Sequence, residues 1–250
     1  MPLNVIISGA SSGLGSALAR HYAGLGATLG LIARRADLLK TLAAELSGAS
    51  IYVADVRDAD AMEAAALDFM RRHGCPDIVI ANAGISRGTL TEYAEDRAVF
   101  ESILATNVIG MANLFQPFIA AMRTAGQGSL VGVASVAGYR GLPGSGAYSA
   151  SKAAAISYLE SLRVEMRGNG VAVITICPGY VATPMTANNP FRMPFLLTAE
   201  AAAEKIVRII ENKTLFAVIP WQMAIVARIL KFLPNFLYDG LFANAPRKPR

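Results

Sequence analysis

The stretch LNVIISGASSGLGSALARHYAGLG, residues 3–26, decides the fold. Its first six residues are a short aliphatic run, the pattern of a buried strand, and its alanine-rich second half reads as a helix over 13–25. Between them lies SGASSGLG, residues 8–15. Gly9, Gly13 and Gly15 permit a tight turn and let the backbone come close to phosphate oxygens. The helix start behind Ser11, Ser12 and Leu14 adds free N–H groups and the positive end of a dipole. The spacing is G-x-x-x-G-x-G rather than the commoner G-x-G-x-x-G.

Outward from this unit the same alternation repeats. Aliphatic or β-branched runs at 3–8, 28–33, 50–54, 77–81, 128–134, 170–176 and 214–219 read as strands. Helical stretches fill 13–25, 36–46, 58–73, a broken 96–124, 147–168 and 198–212. Such an order predicts an α/β fold, one doubly wound parallel sheet of about seven strands with helices on both faces. With no repeat or linker, residues 1–250 read as a single dinucleotide-binding catalytic domain, carrying an apolar helical extension at 220–250.

Composition narrows the class. The 54% hydrophobic content and mean hydropathy of +0.41 suit strands buried on both faces. No apolar segment is expected to reach the roughly 18–20 uncharged residues that span a bilayer, and the immediate first strand leaves no room for a signal peptide. Cys75 and Cys177 stand far apart with only His21 and His73 for company, which argues against a metal site and for a reduced, cytoplasmic setting. The net charge of +5 is modest, and Arg247, Lys248 and Arg250 crowd the tip, leaving no broad basic stripe for nucleic acid.

The second strand ends in LIAR, residues 31–34. Ala33 and Arg34 offer no acceptor for a ribose 2′-hydroxyl, whereas Arg34, helped by Arg35, can pair with a 2′-phosphate through a planar fork of donors. NADP(H) is therefore expected over NAD(H). The run YSASK places Tyr148 and Lys152 one helical turn apart on one face. A phenol has an ordinary pKa of about 10, and a nearby ammonium favours the phenolate, making tyrosine a usable proton donor and acceptor. Ser135, Asn82 and Thr183 all follow strands at the edge where ligands gather in a parallel sheet. With a bound hydride carrier, carbonyl–alcohol redox chemistry follows.

In this order, these residues resemble the short-chain dehydrogenase/reductase family over about residues 3–219, and the resemblance implies a Rossmann-type domain. It rests on the glycine loop, Asp55-Val56, Asn82-Ala83-Gly84, Asn107, Ser135, Tyr148-x-x-x-Lys152, and Pro178-Gly179 with Thr183. By resemblance, Asp55 and Val56 would contact the adenine, and Asn82, Ala83 and Gly84 would steady the sheet and the cofactor ribose. Asn107 would hold a water in a proton relay, and Ser135 would hydrogen-bond the substrate oxygen. Tyr148 would move the proton, while Lys152 would bind nicotinamide-ribose hydroxyls and depress the tyrosine pKa. Pro178, Gly179 and Thr183 would position the nicotinamide. Ser8 stands where the family usually has threonine, and the hydroxyl survives.

Two segments are expected to shape the substrate pocket. The loop at 137–147 carries Tyr139, Arg140 and Leu142. The segment at 185–197, whose prolines and asparagines argue for a mobile lid, offers Met185, Phe191, Met193, Phe195 and Leu196. WQMAIVARILKFL, residues 221–233, is apolar nearly all round, and Pro234 ends it before a second apolar patch at 236–242. It reads as packed on the domain, over the substrate mouth, at a subunit interface of a homo-oligomer (dimer or tetramer), or peripherally on an anionic membrane through 221–250. The expected activity is NADPH-dependent interconversion of a hydrophobic or lipid-like carbonyl and its alcohol. The alternatives are a 3-oxoacyl carrier-protein reductase and a non-catalytic NADP-sensing or scaffolding module.

Overall fold

The computed structural model describes residues 2–46 and 49–249. Arg250 of the basic tip lies outside the described residues. The chain runs β1 (Asn4–Ser8), α1 (Gly13–Gly24), β2 (Thr28–Ala33), α2 (Ala36–Glu45), β3 (Ala49–Val53), α3 (Ala59–His73) and β4 (Ile78–Ala81). It continues through α4 (Asp96–Leu104), α5 (Gly110–Ala125), β5 (Gly128–Val133), α6 (Gly146–Glu165) and β6 (Val171–Pro178). Then follow β7 (Val181–Ala182), β8 (Leu197–Thr198), α7 (Ala199–Glu211), β9 (Phe216–Ile219), α8 (Trp221–Phe232) and α9 (Asn235–Phe242).

Seven strands form one parallel sheet in the order β3-β2-β1-β4-β5-β6-β9. Alternation along each strand feeds two cores. Val5, Ile7, Ile78, Ile80, Val131, Ile174 and Ile176 face α1, α2 and α7, joining Leu18, Tyr22, Leu39, Ile206 and Ile210. Ile6, Val79, Leu130 and Val173 face α3, α5 and α6, joining Phe69, Phe115, Phe118 and Leu159. Both faces of the central strands β1, β2, β4, β5 and β6 are thus buried, which is why they read as unbroken apolar runs. Each large side chain so buried contributes about 1.5–3 kcal/mol.

Strand order reverses between β1 and β4, which lie side by side with Val5 opposite Ile78. The connections leaving their carboxyl ends diverge to opposite faces, and a crevice opens between them. That crevice positions the site.

Two expectations need correcting. The run from Asp96 to Ala125 forms 30 residues of helix with a window of mean hydropathy 1.4, long and apolar enough by length and composition to cross a membrane. Residues 102–122 carry no charge, so an uncharged segment of that length does exist. Its packing accounts for the composition: Met111, Leu114, Phe115, Phe118 and Met122 are all buried in the second core. The break expected in this helix is one π-helical turn, Ala105–Ile109. The pair β7–β8, joined in parallel with Val181 opposite Leu197, was not expected, since two-residue strands have no period to read. It closes the base of the 183–196 segment, which holds turns and no helix.

Candidate active site

The glycine loop is fixed by close approach. Gly9 has φ +67°, and a Cβ there would lie 2.7 Å from Ala83 Cα. A Cβ on Gly15 would lie 2.2 Å from Gly9 O. Ser8 Oγ accepts from the backbone N–H groups of Asn82 (3.2 Å) and Ala83 (3.1 Å), tying the end of β1 to the turn after β4. Asn82 Nδ2 donates back to the carbonyls of Ser8 (3.1 Å) and Gly9 (3.3 Å). The two sides of the crevice are therefore pinned by short polar groups.

At the far end of this loop stand the arginines. Arg35, the residue before α2, donates to the hydroxyls of Ser11 and Ser12. Arg34 Nη1 lies 3.5 Å from Asp55 Oδ2, its side chain largely exposed. Asp55 is engaged mainly by Arg57, whose Nε and Nη2 donate to it at 3.0 and 2.7 Å. Those bonds hold the Asp55 carboxyl well below its usual range, at about 2. Arg57 carried no signal in the sequence, because nothing local marks which arginine takes the carboxylate. Val56 is buried, its side chain meeting Gly110, where a Cβ would come within 2.4 Å.

The other end of the crevice gathers the proton-moving groups. Ser135 follows β5 and caps a short 3-10 turn, its Oγ accepting from Ala137 N at 3.1 Å. Tyr148 occupies the first turn of α6 and Lys152 the next. Burial around the hydroxyl raises the Tyr148 pKa above the usual 10.0, and the neighbouring Ser135 offsets this only in part. The expected depression of the tyrosine pKa by Lys152 is thus not what the structure gives. The ammonium lies 5.8 Å from the Tyr148 ring centroid and donates to Val133 O at 2.7 Å. Lys152 is only 4% exposed, and burial pushes it down from 10.5 to about 8. For Lys152 desolvation wins because, among the described residues, no carboxylate pairs with it.

Cys177 lies at the end of β6, and no motif in the sequence marks it as part of the site. It is fully buried, and burial lifts its pKa to about 12, so it stays neutral. Asn107 sits inside the π-turn, where its side chain accepts from Ile85 N (2.8 Å) and donates to Ile85 O and Ser151 Oγ (both 3.0 Å). It clamps the segment after Gly84 to α6. Gly179 donates to Ile219 O at 2.7 Å, and a Cβ on it would meet Met223 of α8 at 2.6 Å. Thr183 is held by Thr186 Oγ, which accepts from its N–H at 3.1 Å.

Gly9, Ser11, Ser12, Gly13, Leu14, Arg34, Arg35, Asp55, Val56, Asn82, Ala83, Gly84, Ser135, Tyr148, Lys152, Pro178, Gly179 and Thr183 line one crevice of about 520 Å³, whereas Ser8, Gly15, Arg57, Asn107, Ser151, Cys177 and Met223 do not. Its size suits a small-molecule ligand. The backbone N–H groups of a glycine loop at a helix start, the arginine pair and the narrow turn at Asn82–Gly84 together fit a phosphate-bearing dinucleotide. Of the side chains expected around the substrate, Met185 lines the crevice and Tyr139, Leu142, Phe191, Met193 and Phe195 do not. Tyr139 packs edge-on to Phe216 with centroids 6.4 Å apart, and Phe191 lies 6.2 Å from Tyr180. Ile85, Ser86, Thr106, Pro184 and Thr186 also line it, although no motif marks them.

Distant sequence packs against the 137–147 loop. Arg140 Nη1 donates to the carbonyls of Leu230 and Leu233 at the end of α8, and its guanidinium sits 4.1 Å from the Tyr238 ring centroid in α9. Tyr238 in turn donates to Gly141 O. Beyond α9 the tail returns to the crevice, where Lys248 Nζ donates to Ser86 Oγ at 2.9 Å and Met185 O at 3.3 Å.

Comparison with known proteins agrees with this arrangement. A model of the short chain dehydrogenase family matches residues 3–192. An uncharacterised oxidoreductase of Myxococcus xanthus is 40% identical over 239 residues, covering 94% of both chains. A ketoacyl reductase of Nostoc is 34% identical, covering 84% of this chain and 76% of its own. The alcohol dehydrogenase of the archaeon Thermococcus sibiricus, solved with 5-hydroxy-NADP, superposes with a TM-score of 0.79 at 25% identity, covering 88% of this chain and 96% of its own. Family model, relatives and fold converge, and the chain belongs to the short-chain dehydrogenases, a family of nicotinamide-dependent oxidoreductases.

Proposed function

We propose that this protein reduces a hydrophobic ketone or aldehyde with NADPH, and oxidises the alcohol in the reverse direction. One observation carries the reading: Ser135, Tyr148 and buried Lys152 line the same crevice that the Arg34–Arg35 pair guards at its other end. When bound, the cofactor supplies the hydride to the carbonyl carbon. Ser135 Oγ–H polarises the carbonyl oxygen, and Tyr148 O–H donates its proton as charge builds there. The raised pKa keeps Tyr148 protonated at neutral pH, as a donor requires. Lys152 balances the phenolate left behind. In the reverse direction the phenolate accepts the alcohol proton.

Preference for NADPH is supported by charge. The crevice end beside Ser11 and Ser12 has two guanidinium groups and one carboxylate, Asp55, which Arg57 already occupies. A panel of ketones and aldehydes followed by NADPH oxidation, run beside NADH, tests both parts. Turnover with NADH at equal efficiency would reject the arginine assignment. Tight NADPH binding with no carbonyl reduced would support a nucleotide-sensing module instead. The kinship with a ketoacyl reductase supports a second reading, a 3-oxoacyl carrier-protein reductase. Activity confined to acetoacetyl thioesters would establish it.

A hydrophobic substrate is supported by the extension. Trp221, Ile225, Ile229 and Phe232 form an exposed stripe on α8, the last 79% exposed, and Phe236 and Leu241 of α9 continue it. Arg228 and Lys231 flank the stripe, a combination that suits an anionic bilayer surface in an otherwise cytoplasmic protein. Phe232→Glu together with Ile229→Glu should abolish flotation with anionic vesicles. If neither form floats and the unaltered chain forms a dimer or tetramer that the double variant dissociates, the stripe is a subunit interface.

A further inference from the structure

Lys248 is a half-buried cation whose partners among the described residues are neutral. Its ammonium has three donors, yet it bonds one hydroxyl, Ser86 Oγ, and one backbone carbonyl, Met185 O. Among the described residues no carboxylate pairs with it. Burial lowers its pKa. A charge withdrawn from water onto neutral acceptors alone is unfavourable unless an anion joins it.

Its position is built. Gly88 N donates to Pro249 O at 2.9 Å, and a Cβ on Gly88 would lie 2.2 Å from Lys248 O. A Cβ on Gly144 would lie 2.8 Å from Arg247 Cβ. The tail thus nests against two loops at sites where only glycine fits without displacement. Ser86 and Met185, the two residues that Lys248 touches, both line the crevice that contains Ser135 and Tyr148. The one carboxylate among the described lining residues, Asp55, is held by Arg57.

We infer that Lys248 is the anchoring cation for an anionic group, carboxylate or phosphate, carried by the carbonyl substrate. The inference rests on the reductase reading and narrows its substrate class: a hydrophobic carbonyl compound becomes an amphiphile with an anion at one end. Lys248 is a specificity residue, holding the charged end while Ser135 and Tyr148 engage the carbonyl oxygen.

The test uses the full chain and a series of ω-oxo carboxylates and carbonyl-bearing phosphate monoesters of increasing length, each beside its neutral methyl or dimethyl ester. Where the length spans the site, kcat/KM should favour the anion by about tenfold to hundredfold, the range of a charge-assisted hydrogen bond. Carboxylates and phosphates are ranked within the series, which identifies the anion. In Lys248→Met the ratio of anion to ester should fall to about one, and Lys248→Arg should restore most of it. A preference that survives Lys248→Met, or an unaltered protein that does not distinguish anion from ester, overturns the inference. Should no carbonyl compound turn over, the reductase reading fails separately. The anion site is then judged by thermal shift of the NADPH-loaded protein. Stabilisation by the carboxylate beyond its ester, lost in Lys248→Met, supports it, and equal shifts refute it.

Discussion

The two ends of the crevice are made differently. At the glycine loop, groups within a few residues of a strand end do the work: Ser8, Gly9 and Asn82 pin one another through bonds to backbone. At the substrate end, side chains reach across ninety or more positions of sequence, as Arg140 reaches Leu230 and Lys248 reaches Ser86. The first end depends on sheet topology and the second on loops and a tail draped over it.

The contrast can be broken most decisively at Tyr148. Replacing it with Phe should lower turnover by about 10²–10⁴-fold, the usual share of general acid–base help, while NADPH fluorescence titration shows binding nearly intact. Comparable loss of binding would mean the two ends are not separable. Next in size is Lys152. Its pKa falls from 10.5 to about 8 on folding, so the folded state carries a penalty of about 3 kcal/mol below pH 8 that is relieved as pH rises toward 10.5. Relative to Lys152→Met, the unaltered protein should gain about that much stability across the window, measured by denaturant midpoints.

Smaller effects sharpen the contrast. Changing Arg34 and Arg35 to Ala should cut kcat/KM for NADPH by about tenfold to hundredfold and leave NADH less affected. Arg140→Met removes three hydrogen bonds and a cation–π contact that dock α8 and α9. It should cost about 1–3 kcal/mol of stability, read by chemical denaturation, with cofactor affinity altered little.

Legibility in sequence follows the same division. The strands, the glycine loop and the Tyr148–Lys152 turn were readable because each obeys a local period or spacing. The environment that sets the pKa of Tyr148 was not, since burial is a property of everything packed around the ring. Likewise Cys177 could be placed only once strand order was known. The expected substrate side chains Phe191, Met193 and Phe195 are apolar, but apolarity alone does not say which cavity a loop residue faces. Nothing in the composition of the tip indicated that Lys248 would fold back to Ser86.

The neutral, sealed thiol of Cys177 has a practical use. Maleimide dyes need an accessible thiolate, so in the native protein Cys75, which is only partly covered, should take the first label. A second adduct would then appear only when the end of β6 opens, and its rate of appearance by mass spectrometry would time the opening of that strand end without any substrate in hand.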